Sequence, residues 1–179
     1  MTDRYLTKAE LLSIPETDLP LLVLSDNPYS FFAWGIRVHE KGYYNHLMWM
    51  HKPGILASQD GIFREAPLKK YLGHRLKFWT NETWTALQKA AIKETIQIDL
   101  NRFWLWRLYD PVAIIGQWTG CESIQIPGLD ICSDKGKYIK KADRIFDLKR
   151  PSPKDVNSWL EEAEQYLRGY RVWARYVPD

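Results

Sequence analysis

Residues 44–63 read YNHLMWMHKPGILASQDGIF, and the fold turns on how this stretch is understood. Tyr44 to His51 is dense in aromatic and apolar side chains and reads as a strand. Pro53-Gly54 is a turn pair, and Ile55 to Gln59 is the returning strand. Asp60-Gly61 marks a second turn, after which Ile62-Phe63 continues the sheet. Successive strand residues point to opposite faces, so the register decides which side chains meet. With the two strands mirrored about Pro53-Gly54, His46, Met48 and Met50 share a face with Gly61, Gln59 and Ala57. Gln59 then lies diagonally across from His46, within reach of a long polar side chain. Ser58 points to the other face with Trp49.

Upstream, Thr7-Lys-Ala-Glu10 has the pattern of a capping box and opens a short helix that ends before Pro15. Leu19 to Leu24 reads as a strand, and Asn27-Pro28 opens a helix over Tyr29 to His39. Downstream, Arg75 to Trp79 is a further strand. Thr80-Asn81-Glu82 caps a helix to Gln97, with Trp84, Leu87, Ala91 and Ile92 near helical spacing. A second helix covers Pro111 to Gln117, residues 118–129 form a loop, and Asp130 caps a helix carrying Cys132. Ser152-Pro153 followed by Asp155 opens a last helix towards Arg168. Gly169 ends that helix, and Tyr170 to Val177 alternates like an edge strand.

This order predicts an α+β fold with an antiparallel sheet packed against helices, in a single domain over residues 1–179. The core spans about 18–145, residues 1–17 add an N-terminal helix, and 151–179 add a helix and a strand. Regular strand–helix alternation, GxGxxG and a phosphate-cradling glycine loop are all missing, which argues against a nucleotide-binding sheet.

Hydrophobic residues make up 45% of the chain and charged residues 26%, a globular balance with nothing resembling a disordered segment. The formal charge of +3 favours no particular partner, and Lys and Arg are spread out rather than striped. The densest run, Lys135 to Arg144, reads as a solvated helix face ahead of a phosphate-binding one, so nucleic acid is not the expected partner. No apolar run is long enough for a membrane span. The N-terminus lacks the charged-then-apolar plan of a secretory signal, which predicts a cytoplasmic location at synthesis. The 9 tryptophans are expected as core and groove walls rather than as a cofactor box. No cofactor is implied, and no Cys/His spacing suggests a metal.

Two cysteines are present, Cys121 and Cys132. Cys132 is expected at a helix N-terminus, where free backbone N–H groups favour an anion and can hold a developing oxyanion. Cys121 sits in the preceding loop without that placement. Of the four histidines, His46 lies early in an otherwise apolar strand. A cysteine hydrolase needs a thiolate, a base and a polar group that orients the base. Cys132, His46 and Gln59 supply those three types.

The order of these pieces resembles the circularly permuted papain-like fold of NlpC-like hydrolases, in which the His strand precedes the Cys helix. The matching pieces are LPLLVLS, PYSFFAWGIRV, YNHLMWM, ILASQDGIF, YDPVAIIG and PGLDICSDKG, across roughly residues 18–145. The resemblance implies a cysteine peptidase or amidase with Cys132 as nucleophile, His46 as base and Gln59 at the third position. Many relatives carry an acid at that third position. It also implies Tyr109-Asp110 as a structural support near the site. Substrates within the family include peptidoglycan stem peptides, other amides and lipid acyl esters, so a peptide, amide or acyl substrate is expected. The alternative is a weak or inactive hydrolase fold serving as a structural or binding module of a phage particle, with other phage structural proteins as partners and a virion-associated location.

Overall fold

The computed structural model describes residues 4–27, 43–108, 110, 132–143, 146, 148, 152–166 and 169–178, without the side chains of Ser133 and Asp134. The expected helices at Tyr29–His39 and Pro111–Gln117, the loop at 118–129, and Tyr109, Cys121 and Asp130 fall outside these residues.

The fold is α+β, built on one antiparallel sheet. Its strands are β1 (Leu21–Asp26), β2 (His46–Lys52), β3 (Ile55–Asp60), β4 (Ile62–Pro67), β5 (Arg75–Asn81) and β6 (Tyr170–Tyr176). They lie side by side in the order β4-β3-β2-β1-β5-β6. Each segment is short, with turn residues on its flanks. Between β3 and β4 the turn is so tight that Asp60 pairs with Ile62, and Gly61 takes φ +78. A side chain is strained at that angle and glycine is not.

Both faces of the central strands are covered, which is why β1 and β2 are apolar almost throughout. Leu22, Leu24, Leu47, Trp49, Ala57, Phe63 and Trp79 face the helices. These are α2 (Ala86–Leu100), α3 (Ile139–Ala142) and α4 (Pro153–Gln165). Leu21, Val23, Met48, Met50, Leu56 and Phe78 face the opposite way. There they meet Leu6, Leu11 and Ile14 of the N-terminal segment, which includes α1 (Lys8–Leu12).

Local signals set the helix starts. Thr7 with Glu10, Thr85 with Gln88 and Ser152 with Asp155 each close a reciprocal capping box. The first and third match the sequence expectation. The second moves the α2 start to Ala86, because β5 continues through Thr80 and Asn81 instead of stopping before a cap. The C-terminal strand is an edge, as its alternation suggests, and the backbone of Arg4 and Leu6 bonds to Arg175 along its outer side.

The β2–β3 hairpin departs from the mirrored register. Lys52 faces Ile55, but Met50 faces Leu56, Trp49 faces Ala57 and Met48 faces Ser58. The register shifts between Met50 and Lys52, so His51 is the extra residue of a β-bulge. Beyond it, every pairing is displaced by one residue and every side chain of β3 is presented to the other neighbour.

Candidate functional site

The displaced register changes which residues meet His46. Ser58 and Asp60, not Gln59, share its face. His46 Nε2 lies 2.9 Å from Ser58 Oγ and 3.1 Å from Asp60 Oδ1. Gln59 points to the opposite face, and its amide donates to the Arg107 carbonyl at 2.8 Å. The sequence expectation for Gln59 as the group that orients His46 is therefore corrected: one bulged residue moves Asp60, an acid, into that place.

His46 is the first residue of β2, so its ring stands at an end of the sheet, and its side chain is 15% exposed. Asp60 is anchored from behind. Tyr71 and Lys70, in the 3-10 turn Leu68–Tyr71, both bond to its Oδ2. The Tyr71 hydroxyl also lies 2.7 Å from Ser58 Oγ. A phenol has one proton, and the carboxylate is the stronger acceptor, so the Ser58 hydroxyl is left to donate to the phenol oxygen. Ser58 then has lone pairs free to accept from His46. His74 closes the cluster, with Nδ1 2.8 Å from Ser25 Oγ and its ring edge-on to Tyr71 at 5.3 Å.

Cys132 reaches the same imidazole. It is buried, and it both hydrogen-bonds to His46 and acts on it through charge. The structure thus brings Cys132 and His46 together with Asp60, and leaves Gln59 apart.

Charge around His46 is lopsided. Burial by itself disfavours the imidazolium, but negative charge at Cys132, the Asp60 bond and the Asp60 charge outweigh it and push the His46 pKa up to about 10. Burial would raise Asp60, yet the bond and charge of His46, with the Lys70 and Tyr71 bonds, hold its carboxyl well below the usual range. Burial and the Asp60 bond push Tyr71 well above the usual phenol range. His74 is lowered by burial and then by the His46 charge. The cluster therefore holds one ionised acid, one imidazolium and one neutral phenol at neutral pH.

Cys132 opens a 3-10 segment, Cys132–Tyr138, which passes into α3 only at Ile139. The expected α-helix N-terminus at the thiol is thus replaced by a tighter turn with poorer hydrogen-bond geometry. Contacts to the sheet and to α2 hold this segment. The Trp49 indole donates to the Lys135 carbonyl at 2.9 Å. Lys135 Nζ lies 3.3 Å from Asp99 Oδ2 of α2 and 4.3 Å above the Phe63 ring. Tyr138 donates to the same Asp99 oxygen at 2.5 Å. Gly136 packs so closely that a Cβ there would stand 3.2 Å from Val156 and 3.9 Å from Leu47. Lys135 is 3% exposed, so the basic run that begins with it is not one solvated face; Lys137 and Lys140 are exposed.

Asp110 is fully buried. Among the described residues no group of three His, Cys, Asp or Glu is placed to hold a metal ion, and no helix is long and apolar enough to cross a membrane. Comparison with protein-family models, curated proteins and solved structures finds no match to this chain.

Proposed function

We propose that this chain is a cysteine hydrolase of the permuted papain-like type, acting on an amide or acyl bond. The observation that carries the reading is the His46 ring, held between the Cys132 thiol and the Asp60 carboxylate. Cys132, as thiolate, attacks the substrate carbonyl. His46 gives its proton to the departing amine or alcohol, leaving a thioester on Cys132. Neutral His46 then takes a proton from water, and the resulting hydroxide attacks the thioester, releasing the acid and restoring the Cys132 thiolate beside the His46 imidazolium. Asp60 does not touch the substrate in this scheme. It is a positioning residue that fixes the ring orientation and stabilises the imidazolium. Tyr71, Ser58 and Lys70 position Asp60 in turn.

Labelling with a thiol-reactive acyl probe tests the scheme. Cys132→Ala should abolish labelling, and His46→Ala should slow it by about a hundredfold or more. Equal labelling of Cys132→Ala and the unchanged protein sinks the assignment, as does an undiminished rate in His46→Ala.

One observation favours a second reading, that of a scaffold serving as a binding or structural module of a phage particle. Cys132 is only 3% exposed. Under that reading the intact protein resists the acyl probe and small alkylating agents alike, and binds its partners equally well as Cys132→Ala.

A further inference from the structure

We propose that the cavity at the His46 end of the sheet is a subsite for a carboxylate-bearing, acidic peptide segment, which rests on the hydrolase reading for its place in the reaction. The cavity encloses about 470 Å³ and lies where β1 ends and β5 begins, against the end of β6 and one side of α4. Asp26 and Tyr44 line it, and each is close in structure or chain to His46: Ser25, beside Asp26, pairs with His46, and Tyr44 precedes His46 by two residues. The cavity is thus joined to the His46 end of β2 through the backbone of β1 and through Tyr44.

Charge defines what the cavity accepts. Among the described residues, four cations, Arg75, Lys77, Lys154 and Arg175, line it against two carboxylates, Asp26 and Glu161. Both carboxylates are already engaged. Glu161 lies 2.8 Å from Lys77 Nζ and accepts from Asn157 at 2.9 Å, and Asp26 accepts from Asn45 at 3.1 Å. Arg75 and Lys154 are exposed and have no ion-pair partner among the described residues. The cavity thus holds two cations in search of an anion.

The remaining wall favours a peptide over a small inorganic ion. Tyr5, Tyr43, Tyr44 and Tyr176 supply flat apolar surface with polar tips, and Tyr5 and Tyr43 are 61% and 80% exposed. Such rings pack against aliphatic stems and peptide planes while their hydroxyls bond to the backbone. Arginine grips a carboxylate through two parallel N–H bonds, and lysine adds a mobile point charge. A glutamate-type side chain on an extended peptide satisfies both the charge and the tyrosine wall.

The test uses the full chain as Cys132→Ala, so that binding is measured without reaction. Blocked penta-glutamate peptide is titrated by calorimetry, with penta-lysine and inorganic phosphate alongside. Penta-glutamate should bind, penta-lysine should not, and Arg75→Glu with Lys154→Glu should weaken penta-glutamate binding about tenfold or more. Arg64→Glu, on the far edge strand β4, with Lys89→Glu on α2 makes the same change in net charge away from the cavity and should leave binding within about twofold, because exposed charges beyond a Debye length are screened. Three results overturn the proposal: no binding of penta-glutamate, equal loss in both double variants, or full displacement by equimolar phosphate. Acyl labelling of the unchanged protein is read separately, so a thiol that fails to react leaves the subsite standing, and a subsite that fails leaves the thiol standing.

Discussion

The surroundings of His46 and those of Cys132 are held by different means. His46, Ser58 and Asp60 sit on paired strands, and their contacts are charge-assisted bonds between a part-buried His46 and Asp60 and a buried Ser58. Cys132 sits on a short 3-10 segment that is not itself part of the sheet. It is fixed three residues further on, by a buried cation between an indole-bonded carbonyl and the Asp99 carboxylate. The first arrangement tunes protonation. The second sets position, because its polar contacts are buried and costly to remove.

Four experiments press on that contrast. Asp99→Leu takes away the buried carboxylate that Lys135 and Tyr138 share and should cost about 3–5 kcal/mol in urea unfolding. The acyl-labelling rate should fall with it while the alkaline limit of labelling stays in place. A loss under about 1 kcal/mol would mean that the Lys135 anchor is dispensable.

Asp60→Asn acts on protonation instead. With His46 raised to about 10, labelling that depends on the imidazolium should persist to about pH 10 and fall above it. Removing the carboxylate should move that limit down by about one to three pH units. An unmoved limit would detach Asp60 from the ring. Stability follows the same groups. The raised His46 contributes stability that is complete below its unfolded pKa near 6.5 and is lost as pH rises through about 10. The lowered Asp60 contributes stability present above its ordinary carboxylate range and lost as pH falls below it. Asp60→Asn should therefore flatten both flanks of a stability-against-pH curve measured by thermal unfolding.

Trp49→Phe keeps a ring in the core and removes the N–H that holds the Lys135 carbonyl. It should cost about 1–2 kcal/mol and slow labelling without altering its pH dependence. Gln59→Ala should do least. It frees one carbonyl at Arg107, costs about 1 kcal/mol, and leaves the labelling profile unchanged. A shift of the alkaline limit in Gln59→Ala would revive the mirrored register.

Much of the framework is written locally, and there the sequence is readable. Capping boxes at Thr7 and Ser152, the Asp60-Gly61 turn and the alternation of the last strand depend on neighbours three or fewer residues away. Residue type and order point to His46 and Cys132, and the structure brings these two side chains together. The sequence sets Gln59 where the structure sets Asp60, because a bulge leaves little local signature: His51 looks like any strand residue, yet it displaces the register by one. Tyr71 and His74 were missed for another reason. Both follow β4 in the chain, and only the folded sheet brings them under Asp60 and Ser25. Lys135 looked solvated because nothing in its own segment signals Asp99, which comes from a distant helix.

The bulge makes β2 longer by one residue than its pairing with β3 uses. Excising His51 would join Met50 to Lys52 and still leave Met50 opposite Leu56 and Met48 opposite Ser58. The loss would be a ring bonded to Glu65 at 3.0 Å, and the arrangement around His46 would survive. A deletion anywhere from Leu47 to Trp49 that kept the bulge would instead turn the imidazole to the opposite face. In evolutionary terms this strand has a spare part at one address, where a lineage can shorten the chain and keep its chemistry.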